Sequence, residues 1–77
     1  WILDSGASKH IVKDRTVLYN AKKRSGTIGT LGDQELKYEL RGNVKILVGD
    51  NTITLTKVLY VPDATENLVA EGRLARE

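Results

Sequence analysis

The sequence predicts a small, mainly β domain: a closed barrel or sandwich of antiparallel hairpins with one short C-terminal helix. Three observations predict this fold. The 77-residue chain is rich in Val, Ile and Thr, which favour strands. Its seven glycines and single proline allow tight turns but few strand breaks. Between residues 35 and 60, apolar and polar residues alternate, which is the period of a half-buried strand. The length allows one domain over residues 1–77.

The first elements are short. An apolar strand over residues 1–3 is expected to end at Asp4-Ser5-Gly6, because Asp, Ser and Gly are turn residues. Residues 11–18 fit a short strand followed by a turn at Asp14-Arg15.

A hairpin is expected in the middle of the chain. Its first strand spans residues 27–31, and the turn lies at residues 32–34, where Gly32 allows a positive φ. Its second strand spans residues 35–40, and a bend is expected at residues 41–43.

A second hairpin follows directly. Residues 44–48 alternate up to Gly49-Asp50-Asn51, a strong hairpin turn signal. The return strand spans residues 53–60, and its change of phase at Thr56-Lys57 indicates a bulge. Pro62 is expected to end that strand, since proline cannot donate to a ladder.

The last segment changes period. Residues 67–77 place Leu68, Val69 and Leu74 on one side of a short helix. Thr65 or Asn67 is the expected cap of this helix.

Charge and composition exclude several classes of protein. The net charge is +2, from 12 basic and 10 acidic residues, and Lys22-Lys23-Arg24 is the one basic run. Because no aromatic residues are interleaved with it, we expect a solvated loop and no nucleic-acid partner. Cysteine is absent, and His10 alone cannot form a zinc site, so no metal or other cofactor is expected. No apolar run is long enough to span a membrane. A chain this small without disulfides or metal is expected to be stabilised by a second subunit.

One motif carries chemistry. The segment Leu3-Asp4-Ser5-Gly6 places a carboxylate directly after an apolar strand, with a glycine that permits a sharp turn. Two close carboxylates share one proton, so that one acts as general base and the other as general acid. Since the chain has one copy of the motif, such a site requires a twofold dimer with Asp4 from each subunit. The alternative is an ordinary turn.

Three stretches together resemble a known family. They are the segment from Trp1 to Ser8 followed by His10, the Thr30-Leu31-Gly32-Asp33 stretch, and Val58-Leu59-Tyr60-Val61-Pro62 followed by Asn67-Leu68-Val69. In this order they resemble the copia-type (Pseudoviridae) LTR-retrotransposon protease, a retropepsin-like aspartic protease domain of a Gag-Pol polyprotein. The sequence departs from the family in lacking a Gly before Asn67 and in having few residues before Asp4. The second departure indicates either a trimmed N-terminus or a dimer interface that is assembled differently.

The resemblance implies a role for each matching residue. Asp4 would be the catalytic aspartate, Ser5 would interlock with its mate across the dimer, and Gly6 would turn its carbonyl to the substrate. Ala7 and Ser8 would line the substrate pocket. The hairpin residues Leu31, Gly32, Asp33 and Gln34 would form the flap over a bound peptide. His10 is expected to be structural or exposed.

The implied function is an aspartic endopeptidase that acts as a homodimer on its own polyprotein, in the cytoplasm within virus-like particles. Its pH profile would be bell-shaped, because the carboxylate pair must hold one proton. Two alternatives are an inactive or co-opted dimerisation or peptide-binding module of the same fold, and a small basic barrel that binds RNA.

Overall fold

The computed structural model describes residues 1–29 and 35–74. Across these ranges one curled sheet has six strands, in the order β1-β6-β2-β5-β4-β3. The elements in chain order are β1 (Ile2–Asp4), β2 (Ile11–Val12), a 3-10 turn (Arg15–Val17), β3 (Tyr19–Gly29), β4 (Glu35–Val48), β5 (Asn51–Tyr60), β6 (Leu68–Ala70) and α1 (Glu71–Leu74). The predicted mainly β, barrel-type fold with one short helix is confirmed.

The two predicted hairpins form the long side of the sheet. Strand β4 pairs antiparallel with β3 on one side and with β5 on the other. Val48 lies opposite Asn51, so Gly49 and Asp50 form a two-residue loop in which Gly49 has φ of 62°. A glycine with positive φ at the first loop position is the pattern of a type II′ turn, which suits the twist of paired strands. The predicted turn at Gly49-Asp50 is confirmed.

The phase change in β5 is a bulge. Leu55 pairs with Val44 but Val58 pairs with Gly42, so β5 contains one residue more than β4 between these pairs. Lys57 adopts a φ of 53° there. The bulge lets Leu55 and Val58 both point into the core although they are three residues apart. The bend predicted at residues 41–43 is wrong: β4 runs through it, because pairing on both sides holds the strand extended.

Strand β3 is also longer than predicted. It begins at Tyr19 instead of residue 27 and includes the basic run, because pairing with β4 outweighs the polar composition of this segment. The predicted residues 30 and 31 lie outside the described ranges.

Two pairings are parallel. Strand β1 runs parallel to β6, and β2 runs parallel to β5. Alternation within a strand carries no information about such pairings, since their partners are far apart in the sequence. The sheet is therefore mixed, with antiparallel hairpins at one side and short parallel pairs at the other.

The helix predicted over residues 67–77 is wrong in its first part. Leu68–Ala70 form β6, and α1 is a single turn over Glu71–Leu74. The segment is extended because β1 and β2 both offer it pairing partners. Asn67 is not a helix cap: its side-chain oxygen accepts from the Lys13 backbone N–H at 2.8 Å, and its carbonyl accepts from the Ile2 N–H at 2.8 Å.

The sheet buries apolar residues on both faces near its centre. Consecutive residues Ile11 and Val12 enter different clusters, because neighbouring side chains of a strand point to opposite faces. The larger cluster contains Val12, Val44, Leu55, Val58 and Val69. The smaller contains Ile11, Leu59 and Val61, with Ile28, Leu36, Tyr38, Ala64 and Leu68 packed against it. The smaller cluster lies under the site described next.

Candidate functional site

Asp4 is the last residue of β1, as the motif predicts, and it is partly buried. Its Oδ1 accepts from the Gly6 backbone N–H at 2.8 Å, and its carbonyl accepts from the Ala7 N–H at 3.4 Å. These bonds form a tight turn that reverses the chain immediately after the strand and orients one carboxylate oxygen toward the turn. Asp4 also lies opposite Ala70 in the parallel β1–β6 pair, which fixes its backbone.

Asp4 opens onto a groove of about 800 Å³. One side of the groove is the loop after β1, contributed by Gly6, Ala7, Ser8 and Lys9. The other side is the end of the β3–β4 hairpin, where Thr27, Ile28, Gly29 and Leu36 line it. Because β1 and β3 are at opposite edges of the sheet, these two sides meet only because the sheet curls.

The floor of the groove is apolar. Ile11, Ile28, Leu36, Ala64 and Leu68 line it and also belong to the smaller apolar cluster or pack against it. A carboxylate at the rim of an apolar groove bounded by a strand hairpin suits an extended peptide, whose side chains fill apolar subsites.

The predicted site residues fall into three groups. Asp4, Gly6, Ala7 and Ser8 line the groove, while Ser5 is exposed and does not line it. Leu31, Gly32, Asp33 and Gln34 lie outside the described residues.

The sequence did not predict several other groove residues. The segment between β5 and β6 brings Ala64, Thr65 and Glu66 to it, and Glu66 is a second carboxylate there. Nothing in the local sequence marks them, since the curl of the sheet and the parallel pairing of β6 bring them to this place. Lys9, which follows the motif directly in the sequence, also lines the groove.

His10 is structural, and it is fully buried. Its Nδ1 accepts from the Ala70 backbone N–H at 3.0 Å. Its own carbonyl accepts from the Leu59 N–H at 2.9 Å.

A second, smaller groove of about 420 Å³ is lined by residues of the 3-10 turn, β3 and β4. Arg15 joins Lys23 and Arg24 there, beside Ser25, Glu39 and Leu40. The basic run is thus part of an edge strand and not a loop, because β3 extends through it.

Over residues 1–29 and 35–74, no group of three or more His, Cys, Asp or Glu residues could hold a metal ion. The helical segments in the same ranges are too short and too polar to cross a membrane.

Comparison with known proteins identifies the family. The model of the "Pol polyprotein, beta-barrel domain" family matches residues 1–77. The chain belongs to this family. It is 30% identical over 76 residues to the retrovirus-related Pol polyprotein from transposon RE2 of Arabidopsis thaliana, an alignment that covers 96% of the chain and 5% of that protein. No solved structure matches the chain significantly. The expected kinship with retrotransposon Pol polyproteins is confirmed, with the chain spanning a small part of its relative.

Proposed function

We propose that this Pol β-barrel domain is an aspartic endopeptidase that acts as a homodimer on the polyprotein that carries it. Asp4 of each subunit supplies one of the two catalytic carboxylates. A water held between them attacks the scissile carbonyl, one carboxylate taking the proton of the water and the other donating to the carbonyl oxygen.

The observation that carries the proposal is the position of Asp4. Its carboxylate is at a strand end, oriented by the Gly6 N–H at 2.8 Å, on the rim of a peptide-sized groove with an apolar floor. In the proposal Ala7 and Ser8 contact the substrate next to the scissile bond. Ser5, which is exposed and does not line the groove, is available in the proposal to bond its mate in the other subunit.

The free edge of β1 supports a second subunit. Within the described sheet β1 has a neighbour on one side only, β6. Its residues Ile2 and Leu3 are 46% and 58% exposed, and Trp1 just before the strand is 48% exposed. An apolar edge strand presents unpaired backbone groups to a partner strand. A twofold contact along this edge would bring the two Asp4 residues near the axis, because β1 has three residues and Asp4 is one residue from its middle.

The hairpin opposite Asp4 completes the proposal. Thr27, Ile28 and Leu36 form its groove-facing end. In the sequence, its two strands are connected by Leu31, Gly32, Asp33 and Gln34. In the proposal this segment covers the bound peptide. No nucleic acid, metal or membrane takes part, and the cleavage takes place in cytoplasmic particles assembled from the polyprotein.

The test measures association and cleavage with the same four proteins. Wild type, Asp4→Asn, Glu66→Gln and Asp50→Asn are compared by sedimentation equilibrium and by cleavage of peptides that span the junctions of the polyprotein. Glu66→Gln removes the other carboxylate of the groove, and Asp50→Asn removes an exposed one at the distant hairpin turn.

We expect wild type, Glu66→Gln and Asp50→Asn to dimerise and to cleave, and Asp4→Asn to dimerise without cleaving. Equal loss in Glu66→Gln and Asp4→Asn would indicate a pair within one subunit and refute the dimeric site. Wild-type protein that dimerises and binds peptide but cleaves none would instead identify a binding module. RNA binding that weakens steeply with salt, and that depends on Arg15, Lys23 and Arg24, would favour a nucleic-acid function.

A further inference from the structure

His10 is the buried polar side chain of the described residues, and the proposed reaction does not use it. Exposed Lys9 precedes it and the core residue Ile11 follows it, so His10 is at the junction between the Asp4 loop and the core. A buried polar group without a hydrogen-bond partner in such a place would destabilise the fold. The imidazole therefore requires the partners that the fold provides.

The hydrogen bond from the Ala70 N–H indicates which tautomer His10 adopts. Nδ1 accepts from the Ala70 N–H at 3.0 Å, which requires a free lone pair on Nδ1. The ring proton of the neutral imidazole is then on Nε2. A side chain that can only donate, or that is apolar, cannot replace this contact.

Ala70 connects this bond to Asp4. It is the last residue of β6 and lies opposite Asp4, the last residue of β1. Since β6 is the one described neighbour of β1, the placement of Asp4 depends on the backbone of β6 at Ala70. His10 holds that backbone from the other side, while its own carbonyl bonds the Leu59 N–H of β5 at 2.9 Å.

From this geometry we infer that His10 is a positioning residue for the Asp4 carboxylate. Its Nδ1 fixes the end of β6, and β6 fixes the end of β1 from which the carboxylate projects. The inference rests on the proposed function for its catalytic consequence, but the placement of Asp4 can be measured without any cleavage.

Two amides report the two steps of this connection. The Ala70 amide reports the bond to His10, and the Gly6 amide reports the Asp4 carboxylate, whose Oδ1 it contacts at 2.8 Å. His10 is the single histidine of the chain, so the ¹⁵N signals of its ring are assigned without ambiguity. We expect these signals to show the tautomer with an unprotonated Nδ1 and a protonated Nε2.

Three variants distinguish the effect of losing the hydrogen-bond acceptor from the effect of losing the volume of the ring. His10→Asn keeps an acceptor near the position of Nδ1, His10→Gln places its acceptor near Nε2, and His10→Leu has none. We expect faster exchange of the Ala70 amide and a changed Gly6 amide signal in the Gln and Leu variants, and near wild-type values in the Asn variant. The amide of Leu55, a fully buried residue of the larger apolar cluster, is the internal control for global folding.

The steady-state kinetics of cleavage by wild type and the three variants measure the catalytic consequence. At concentrations where each variant is folded and dimeric, kcat should fall about 10- to 100-fold in His10→Gln and His10→Leu with little change in KM, and recover in His10→Asn. An unchanged Gly6 amide in folded His10→Gln or His10→Leu would overturn the inference, as would an unchanged kcat. If wild type cleaves nothing, the proposed function fails, and the Gly6 and Ala70 amides still decide whether His10 positions Asp4. If the Leu variant does not fold, the comparison of Asn with Gln gives the same decision.

Discussion

The contact between Gly26 and Tyr38 predicts a measurable cost for adding a single methyl group. The two residues are opposite each other in the β3–β4 pair, and the Tyr38 ring lies over the glycine. A Cβ at position 26 would be 2.6 Å from Cζ and 2.9 Å from Cε1 of that ring. Ordinary carbon contacts are about 3.5–4.0 Å, so in Gly26→Ala the ring must move by roughly 1 Å.

The magnitude follows from what the ring touches. Tyr38 packs against the smaller apolar cluster, the floor of the candidate groove. Overpacking costs about 1–3 kcal/mol, and the free end of the ring can give way, so the lower half of that range applies. Alanine in a strand recovers about 0.5–1 kcal/mol relative to glycine. The expected net loss is about 1 kcal/mol, or a Tm lower by about 4–8 °C for a domain of this size.

The assay is thermal and urea unfolding at one fixed protein concentration, because association would shift the midpoint. Gly29→Ala is the matched control: it is in the same strand, and a Cβ there would meet nothing within 4 Å. It should be neutral or slightly stabilising. In a Tyr38→Ala background Gly26→Ala should lose its cost, since the ring is gone. A full cost that persists in that background, or a neutral Gly26→Ala with Tyr38 present, would refute the argument.

Three further predictions concern other parts of the fold. The backbone N–H and hydroxyl of Thr16 donate to Asp14 and lower the pKa of that carboxyl below its ordinary 3.8. The Asp14 carboxylate therefore contributes its full stabilisation above its ordinary pKa, and this stabilisation is lost as pH falls through the lower pKa of the folded state. Asp14→Ala should reduce the dependence of the urea unfolding midpoint on pH below about pH 4. An identical pH dependence in the variant and in wild type would contradict this. Lys57→Gly should raise the free energy of unfolding by about 1 kcal/mol, because Lys57 has a φ of 53°; Asn20→Gly, at a φ of 52°, should gain less, since Asn tolerates this conformation better. Equal gains at the two sites would count against that reasoning. Leu55→Ala should lower the free energy of unfolding by about 2–5 kcal/mol in the same titrations, because Leu55 is fully buried, and a loss under 1 kcal/mol would show a core that relaxes around the cavity.

Local sequence predicts well where the structure is itself local. The Gly49-Asp50 turn, the bulge at Thr56-Lys57 and the end of β5 before Pro62 all follow from residues that are neighbours in the chain. The same holds for Asp4, whose place at a strand end is set by the apolar residues before it and the glycine after it. Steric preferences and the two-residue period of a strand act over a few residues, so they can be read directly.

Residues 67–77 show where local prediction fails. Leu68 and Val69 are compatible with a helix or a strand, because a three-residue strand is too short to show a period. This segment forms a strand because β1 and β2, which flank it in the sheet, provide hydrogen-bond partners for its backbone groups. Among the described residues of this segment, the predicted helix is present as the single turn of α1.

The sequence by itself determined the β class, the existence of the two hairpins, the turn that carries Asp4 and, through its motifs, the Pol polyprotein family. Tertiary structure alone decided the parallel pairings, the curl that brings Thr27 and Ile28 opposite the Asp4 loop, and the burial of His10 against Ala70. The physical reason is the range of the interactions. Turn and strand preferences act between neighbours, whereas the groove and the His10–Ala70 bond join residues 60 or more positions apart, which meet only when the sheet closes around its core.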